Sequence, residues 1–260
     1  MPELPDVEIF KRYLDATALH QKIVDIEVRA NRMLKDILPK NFKDALKGKR
    51  FESTRRHGKY LFVELEKKHM LIHFGMTGRL KYFKKASDDP EYDQVLFRFA
   101  DGYHLACISK RKLGKIGLID SPDAFIEEKG LGPDALSIDL PELADILEKA
   151  KSFIKSLLMN QRRIAGIGNI YSDEILFRAR LHPRKKSDRL KEPDVKRLDR
   201  AIETVLHTAI DRKAKPDDLP TSYLIPHRGK NGKCPRCGGD IKRIEVSGRN
   251  GWYCSRCQKK

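Results

Sequence analysis

Apolar residues recur along this chain with two different periods, and the change from one to the other divides it. Near the amino terminus Val7, Phe10 and Leu14 fall at helical spacing behind Pro2 and Pro5, a residue type favoured in a first helical turn. From Ile23 to Arg29 the pattern becomes alternation, with Val24, Ile26 and Val28 apolar and Asp25, Glu27 and Arg29 polar, as in a half-buried strand. Short β-rich runs follow at Tyr60–Leu65, Met70–Phe74, Arg79–Phe83, Val95–Phe99, Tyr103–Ile108 and Lys115–Ile119, parted by Gly, Asp and Pro. Their number and spacing predict an antiparallel sandwich. The stretch GLGPDALSIDLP, from Gly130 to Pro141, loses periodicity and is the best candidate linker. Helical spacing then returns over Pro141 to Leu158 and through Leu198, Ile202, Val205 and Ala209, and another helix should begin near Asn169. The fold class expected is α+β, an amino-terminal antiparallel β-sandwich with flanking helices ahead of a helical region.

Charge narrows the partner. The 54 Lys and Arg against 37 Asp and Glu give a net charge of +17, which favours a polyanion, nucleic acid first. A membrane surface competes, but no apolar run reaches the roughly 18 residues of a spanning helix and no signal peptide is evident, so a cytoplasmic, nucleoid-associated chain without a membrane partner is expected. Four of the five cysteines form Cys234-Pro-Arg-Cys237 and Cys254-Ser-Arg-Cys257, enclosing 16 residues. That spacing lies inside the window for a tetrahedral zinc site, and four thiolates leave no position for water, so one structural zinc ion is expected. Cys107, inside YHLACI, reads as a buried small hydrophobe. Between the cysteine pairs Ile241–Val246 and Trp252-Tyr253 are strand-like, and Asn250-Gly251 is a hairpin signal that puts Arg249 at a tip. From Arg228 to Lys260 there are 10 Lys or Arg against Asp240 and Glu245, suited to phosphates.

Candidate chemistry starts at Met1-Pro2-Glu3. Removal of Met1 leaves Pro2 with a free secondary amine, and α-amines have reference pKa values near 7.7–8.0 against about 10.4 for lysine. Such an amine attacks a sugar carbon at the aldehyde oxidation level to give an iminium, which acidifies the neighbouring C–H, while Glu3 protonates the departing or ring oxygen. A plain helix start is compatible with this. Three loops attract attention: Arg55-Arg56-His57-Gly58-Lys59, a cluster of cations before a strand; HFGMTG, which holds Met76 between glycines; and Ser109 to Gly114, which adds Leu113 to Lys110, Arg111 and Lys112. Each is also consistent with an ordinary turn. Ala165-Gly166-Ile167-Gly168-Asn169 precedes a helix and offers a phosphate grip, or a simple N-cap at Asn169. It lacks the third glycine of a dinucleotide fingerprint.

Taken in order, MPELPDVE, RRHGKYL, HFGMTGRL, GLGPDAL, AGIGNIYSDEILFRARLHP and the C-x2-C-x16-C-x2-C ribbon resemble the formamidopyrimidine-DNA glycosylase/endonuclease VIII family over the full length. The resemblance implies a sandwich over residues 1–130, a linker over 131–141, a helix-two-turn-helix domain over 142–231 and a zinc ribbon over 232–260. It implies a monomeric bifunctional glycosylase and lyase that removes oxidised bases from damaged double-stranded DNA and nicks by β,δ-elimination through a Schiff base. Pro2 is then the nucleophile, Glu3 the acid and Lys59 a strand-borne catalytic lysine near the lesion phosphate. Asn169, Arg249 and, as a further one, Lys155 are phosphate contacts, while Met76 and Arg111 match residues that fill the gap left by the flipped base and Leu113 stands at the position of the wedge. The chain departs from the formamidopyrimidine pattern where Leu113 replaces a phenylalanine, where Asn160 replaces an aspartate, and where the segment from Arg212 to Lys233 looks short for a lesion-capping loop. The short segment resembles endonuclease VIII-like enzymes that prefer oxidised pyrimidines or hydantoins, while the start PELPDVE favours the formamidopyrimidine branch, and both lesion classes stay open. A zinc-ribbon damage sensor without catalysis is the competing reading, one that needs no particular residue at positions 2 and 3.

Overall fold

The computed structural model describes residues 1–229 and 231–259, so Lys230 and Lys260 of the basic carboxy-terminal stretch lie outside the described residues. The chain divides into two compact units, residues 1–2 with 6–129 and residues 3–5 with 130–260.

Helix α1 (Leu4–Thr17) buries Val7 and Leu14 in the core of the first unit. After it come β1 (Ile23–Val28), α2 (Pro39–Leu46), β2 (Thr54–His57), β3 (Tyr60–Glu64), β4 (His69–His73), β5 (Gly78–Phe83), β6 (Asp93–Phe99), β7 (His104–Ser109), β8 (Lys115–Ile119) and α3 (Pro122–Lys129). Among the described residues these strands make two four-stranded antiparallel sheets, ordered β1-β6-β7-β5 and β2-β3-β4-β8. Ile26, Phe97 and Leu105 of one sheet and Leu61, Val63 and Ile72 of the other share a core with Phe42 and Leu46 of α2. Because side chains alternate along a strand, Phe62 between Leu61 and Val63 faces the other way and meets Phe125 of α3, ring centroids 5.9 Å apart.

Three elements of this unit differ from the sequence reading, the eight-residue helix α2 among them. Arg55-Arg56-His57 is not a loop but strand β2, paired from Thr54 with Val63 to His57 with Tyr60, and Gly58 at φ 54° opens the turn into β3. Its residues carry no apolar alternation, and their charged ends meet acids distant in sequence, Arg56 on Glu8 at 3.0 Å and Arg55 on Asp123 at 2.7 Å. Helix α3, eight residues long, is too short for periodicity to declare itself.

In the second unit α4 (Leu140–Ala150), α5 (Ile154–Met159), α6 (Asn169–Arg178) and α7 (Glu192–Asp211) precede β9 (Ile241–Val246) and β10 (Arg249–Cys254). The expected helix over Pro141 to Leu158 is interrupted, since Lys151 ends α4 in the left-handed region at φ 45°. Asp139 caps α4 by accepting from Glu142 N at 2.8 Å. The aperiodic segment ahead of it is not loose: Ala135 is buried in this unit's core and donates its N–H to Ala165 O at 3.0 Å. Leu143 and Leu147 of α4, Leu157 of α5, Ile175 of α6 and Leu198, Ile202 and Val205 of α7 fill that core, and Leu4 joins them. The β9–β10 hairpin turns at Ser247-Gly248, with φ 49° and 72°, not at Asn250-Gly251. Both turn residues take positive φ, as a type I′ turn requires, so Arg249 is the first strand residue after the tip. Among the described residues no helix is long and apolar enough to cross a membrane.

One carboxylate makes the first unit pH-dependent. Burial pushes Asp93 of β6 up to about 7, against the pull of Arg29, whose Nη1 lies 3.2 Å from its Oδ2. A carboxyl that holds its proton more tightly when folded loses stability as pH rises from the unfolded pKa, near 4, to the folded one. Wild type should therefore lose roughly 2–3 kcal/mol between pH 5 and pH 8 that Asp93→Asn does not lose, read by urea unfolding at the two pH values.

Candidate active site and metal centre

Glycines allow the backbone before α6 to close around the amino-terminal residues that belong to the second unit. Leu4 N donates to Gly166 O at 3.0 Å. Gly166 stands at φ 113°, and a Cβ there would lie 2.4 Å from Leu4 Cδ1. At Gly168 a Cβ would fall 2.3 Å from Glu3 Cδ. The space so kept lets the buried Glu3 carboxylate accept from Gly168 N at 2.8 Å, Ile170 N at 2.8 Å and Tyr171 N at 3.2 Å. These N–H groups have no partner inside their own helix, and Glu3 takes the place of a capping side chain. The bland reading of Asn169 as N-cap is corrected: Gly168 occupies that position, and Asn169 Nδ2 donates instead to Asn250 O on β10 at 2.9 Å. Asn169 is thereby tied to the residue next to the exposed Arg249.

Lys155 does not present a cation to solvent. It is fully buried on α5, and its ammonium donates to Asp173 Oδ1 at 2.6 Å, Ser172 Oγ at 2.9 Å and Asn169 O at 3.3 Å. A direct phosphate contact is corrected accordingly, because three donors are the full complement of an ammonium. Burial lowers the Lys155 pKa and raises that of Asp173, each opposed by the attraction of the other. Glu174, next along α6, accepts from Ile225 N at 2.9 Å, and burial pushes it up to about 7. Sequence reasoning missed Asp173 and Glu174. Their one signal is position, between Tyr171 and Ile175 in a helix buried on every side from Tyr171 to Phe177.

In the first unit Lys59 is buried in the β2–β3 turn, just ahead of the strand on which it was expected. Its charge adds to the burial that lowers the pKa of His73 on β4. Pro2 precedes α1 and is partly exposed. The Met76 and Leu113 loops are brought together: a Cβ on Gly75 would lie 2.5 Å from Leu113 C, and Arg111 N donates to Thr77 Oγ1 at 3.2 Å. Met76 is 41% and Leu113 47% exposed, large apolar side chains held in water beside Lys110, Arg111 and Lys112. Isolated surface apolar residues need no explanation, but here two stand exposed on adjoining loops, one of them cationic.

The ribbon's four cysteine Sγ atoms lie within 4.8 Å of one another, Cys234 to Cys257 at 3.8 Å and Cys237 to Cys254 at 3.5 Å. Zn–S bonds near 2.3 Å at tetrahedral angles would set sulfurs roughly 3.8 Å apart, so the thiols fit a structural zinc with every position filled by sulfur. The ribbon is fastened to the helices of its unit. Arg236 donates to Phe177 O at 3.1 Å, and Gln258 accepts from Cys254 N and donates to Leu181 O, both at 2.9 Å.

Three family models match successive stretches: the formamidopyrimidine-DNA glycosylase N-terminal domain over residues 1–116, the formamidopyrimidine-DNA glycosylase H2TH domain over 130–218, and a zinc finger found in FPG and IleRS over 232–260. Sandwich, helix-two-turn-helix and ribbon together define a DNA-repair glycosylase. The formamidopyrimidine-DNA glycosylase of Heliobacterium modesticaldum is 35% identical, with all of both chains covered. That of Streptococcus pyogenes serotype M6 is 34% identical over all of this chain and 99% of its own. Among solved structures, Lactococcus lactis Fpg with abasic-site DNA superposes with TM-score 0.90 at 31% identity, over 99% of this chain and 100% of that one. MutM with DNA containing carbocyclic 8-oxo-G gives TM-score 0.91, again at 31% identity, with both chains fully covered. This chain belongs to the formamidopyrimidine-DNA glycosylase family. It is a base-excision repair glycosylase that works on DNA and carries a structural zinc site, in a family for which lyase activity is standard.

Metal should be worth the whole ribbon. Cys237→Ser or a strong chelator should release zinc and abolish the cooperative unfolding of β9 and β10, since hairpins this small are marginal alone. Metal analysis together with hydrogen exchange of the Ile241–Cys254 amides checks it, and a metal-free ribbon with protected amides would contradict it.

Proposed function

We propose that the chain excises oxidised bases from duplex DNA and nicks the strand through Pro2, with Glu3 as the acid. The observation that carries this reading is the Glu3 carboxylate, buried and oriented by three backbone N–H groups one residue from Pro2, whose nitrogen becomes a secondary amine once Met1 is removed. In the chemistry, the Pro2 nitrogen attacks C1′ of the damaged nucleotide as the bond from C1′ to the base breaks, the base leaving with that electron pair and taking up the proton that the amine gives up. Glu3 gives a proton to the ring oxygen as the sugar opens, leaving an iminium between Pro2 and C1′. Loss of a proton from C2′ sends electrons toward the iminium and expels the 3′ phosphate, and a second elimination expels the 5′ phosphate. Lys59, buried in the β2–β3 turn, takes the part of the catalytic lysine near the lesion phosphate. Asn169 and Arg249 hold backbone phosphates, and Lys155 serves them from beneath by fixing the Asn169 turn. Met76, Arg111 and Leu113 fill the stack once the base is extruded. The chain acts as a monomer in the cytoplasm, at the nucleoid.

Borohydride should trap a covalent protein–DNA adduct, and an extra residue ahead of Pro2 should abolish it. Glu3→Gln should slow base removal at least tenfold more than it slows nicking of a ready-made abasic site. Trapping by the blocked protein would exclude Pro2, and equal losses would exclude the role of Glu3.

Lesion choice follows from where the segment after α7 spends its apolar residues. Leu219, Tyr223, Leu224 and Ile225 are all buried, and Arg178 stacks over the Tyr223 ring at 4.9 Å. A segment anchored inward supports the reading that no long loop caps the flipped base, so the pocket discriminates weakly by packing. Hydantoins should be excised faster than 8-oxoguanine, with weak opposite-base preference because Leu113 is a small wedge. Single-turnover excision of 8-oxoguanine opposite cytosine and of a hydantoin in the same duplex and salt decides it, and an equal or higher 8-oxoguanine rate would reject the reading.

A further inference from the structure

Asp173, the fifth residue of α6, faces the ribbon with a charge. Its Oδ1 meets Lys155 at 2.6 Å, and its Oδ2 accepts from Trp252 N of β10 at 3.0 Å, with Arg228 Nη2 at 3.7 Å. Ribbon backbone presses directly on this pair: a Cβ on Gly251 would lie 2.5 Å from Asp173 Oδ1 and 2.9 Å from Lys155 Nζ. On the other side Lys155 holds the Asn169 carbonyl and the Ser172 hydroxyl, residues that bracket Ile170 and Tyr171, whose N–H groups hold Glu3. A continuous run of short polar contacts thus links the zinc ribbon to the Glu3 carboxylate. A buried ion pair is poor value as a stabiliser, since apolar residues of the same volume often serve as well. What it supplies here is direction, because a carboxylate with one oxygen on β10 and the other on an ammonium can sit in one place only.

We infer that Asp173 is a positioning residue for base removal, coupling the folded zinc ribbon, through Lys155 and the first turn of α6, to the orientation of Glu3. This rests on the reading of Glu3 as the acid. The consequence is that the ribbon does more than hold phosphate: damage to its contact with Asp173 selectively impairs the step that needs Glu3.

The test compares two rates at saturating enzyme, single-turnover base removal from a lesion duplex and nicking of a preformed abasic site in the same sequence. Asp173→Asn keeps an acceptor for Trp252 N but withdraws the charge from Lys155. It should cut base removal tenfold or more and abasic-site nicking by no more than threefold, with zinc content at one per chain. Gly251→Ala crowds the pair from the ribbon side while leaving both charges in place, and should change the ratio in the same direction even if Asp173→Asn folds poorly. A purely structural role would lower the two rates together. Equal losses in either zinc-replete variant therefore overturn the coupling. Glu3→Gln is the reference: if it leaves the ratio unaltered, the acid assignment falls and the coupling with it. If it alters the ratio while Asp173→Asn and Gly251→Ala do not, the coupling alone is wrong.

Discussion

The N–H groups that open α6 find no acceptor within their helix, and the candidate site depends on the Glu3 carboxylate taking them. Two glycines make that possible by removing side chains rather than by adding any. With a Cβ at position 168 the Glu3 carboxyl group has nowhere to sit, and with one at 166 the Leu4 side chain is displaced. The same contacts that complete a helix end therefore hold the buried Glu3 carboxylate in a fixed orientation, next in sequence to Pro2. Local hydrogen-bond satisfaction and the placement of that carboxylate are here one requirement.

Around that turn the second unit spends its polar groups on placing things. Lys155 and Asp173 are both fully buried, and each pays a desolvation penalty that its partner offsets. Removing either partner alone would leave an uncompensated charge under β10. The ribbon meanwhile contributes a buried cluster of Ile241, Cys234 and Cys254 with Phe177 and Leu224, too few apolar groups to hold a hairpin without metal. Its fastening to the helices converts metal binding into the placement of Arg249 beside Asn169.

The departures from the family pattern have local physical accounts of different kinds. Asn160 keeps the job an aspartate would do in its turn, because Oδ1 accepts from Arg162 N at 3.0 Å and a neutral amide oxygen suffices for that bond. Leu113 keeps an apolar tip on a cationic loop but lacks the flat ring that stacks on a base. The segment following α7 is built into the core through Tyr223, Leu224 and Ile225.

What the chain's order of residues determined was whatever depends on local period or fixed spacing. The alternating runs became sheets, the helical stripes of α1 and α7 became helices, and the paired cysteines came within ligating distance, because periodicity and ligand spacing are properties of short segments. Resemblance added the site residues one by one, and it did not say which of them face water. Tertiary structure decided that. Strand β2 forms from a run of cations because its partners are Glu8 and Asp123, far away in sequence. The hairpin turns at Ser247-Gly248 rather than Asn250-Gly251 because register across β9 and β10 places Gly251 over Asp173 and Lys155, where only a glycine fits. Lys155, basic and polar on paper, lies buried because an acid 18 residues on in the next helix reaches it. Charges read as solvated in a linear sequence become internal when packing brings their counter-ions, and no local pattern announces the meeting.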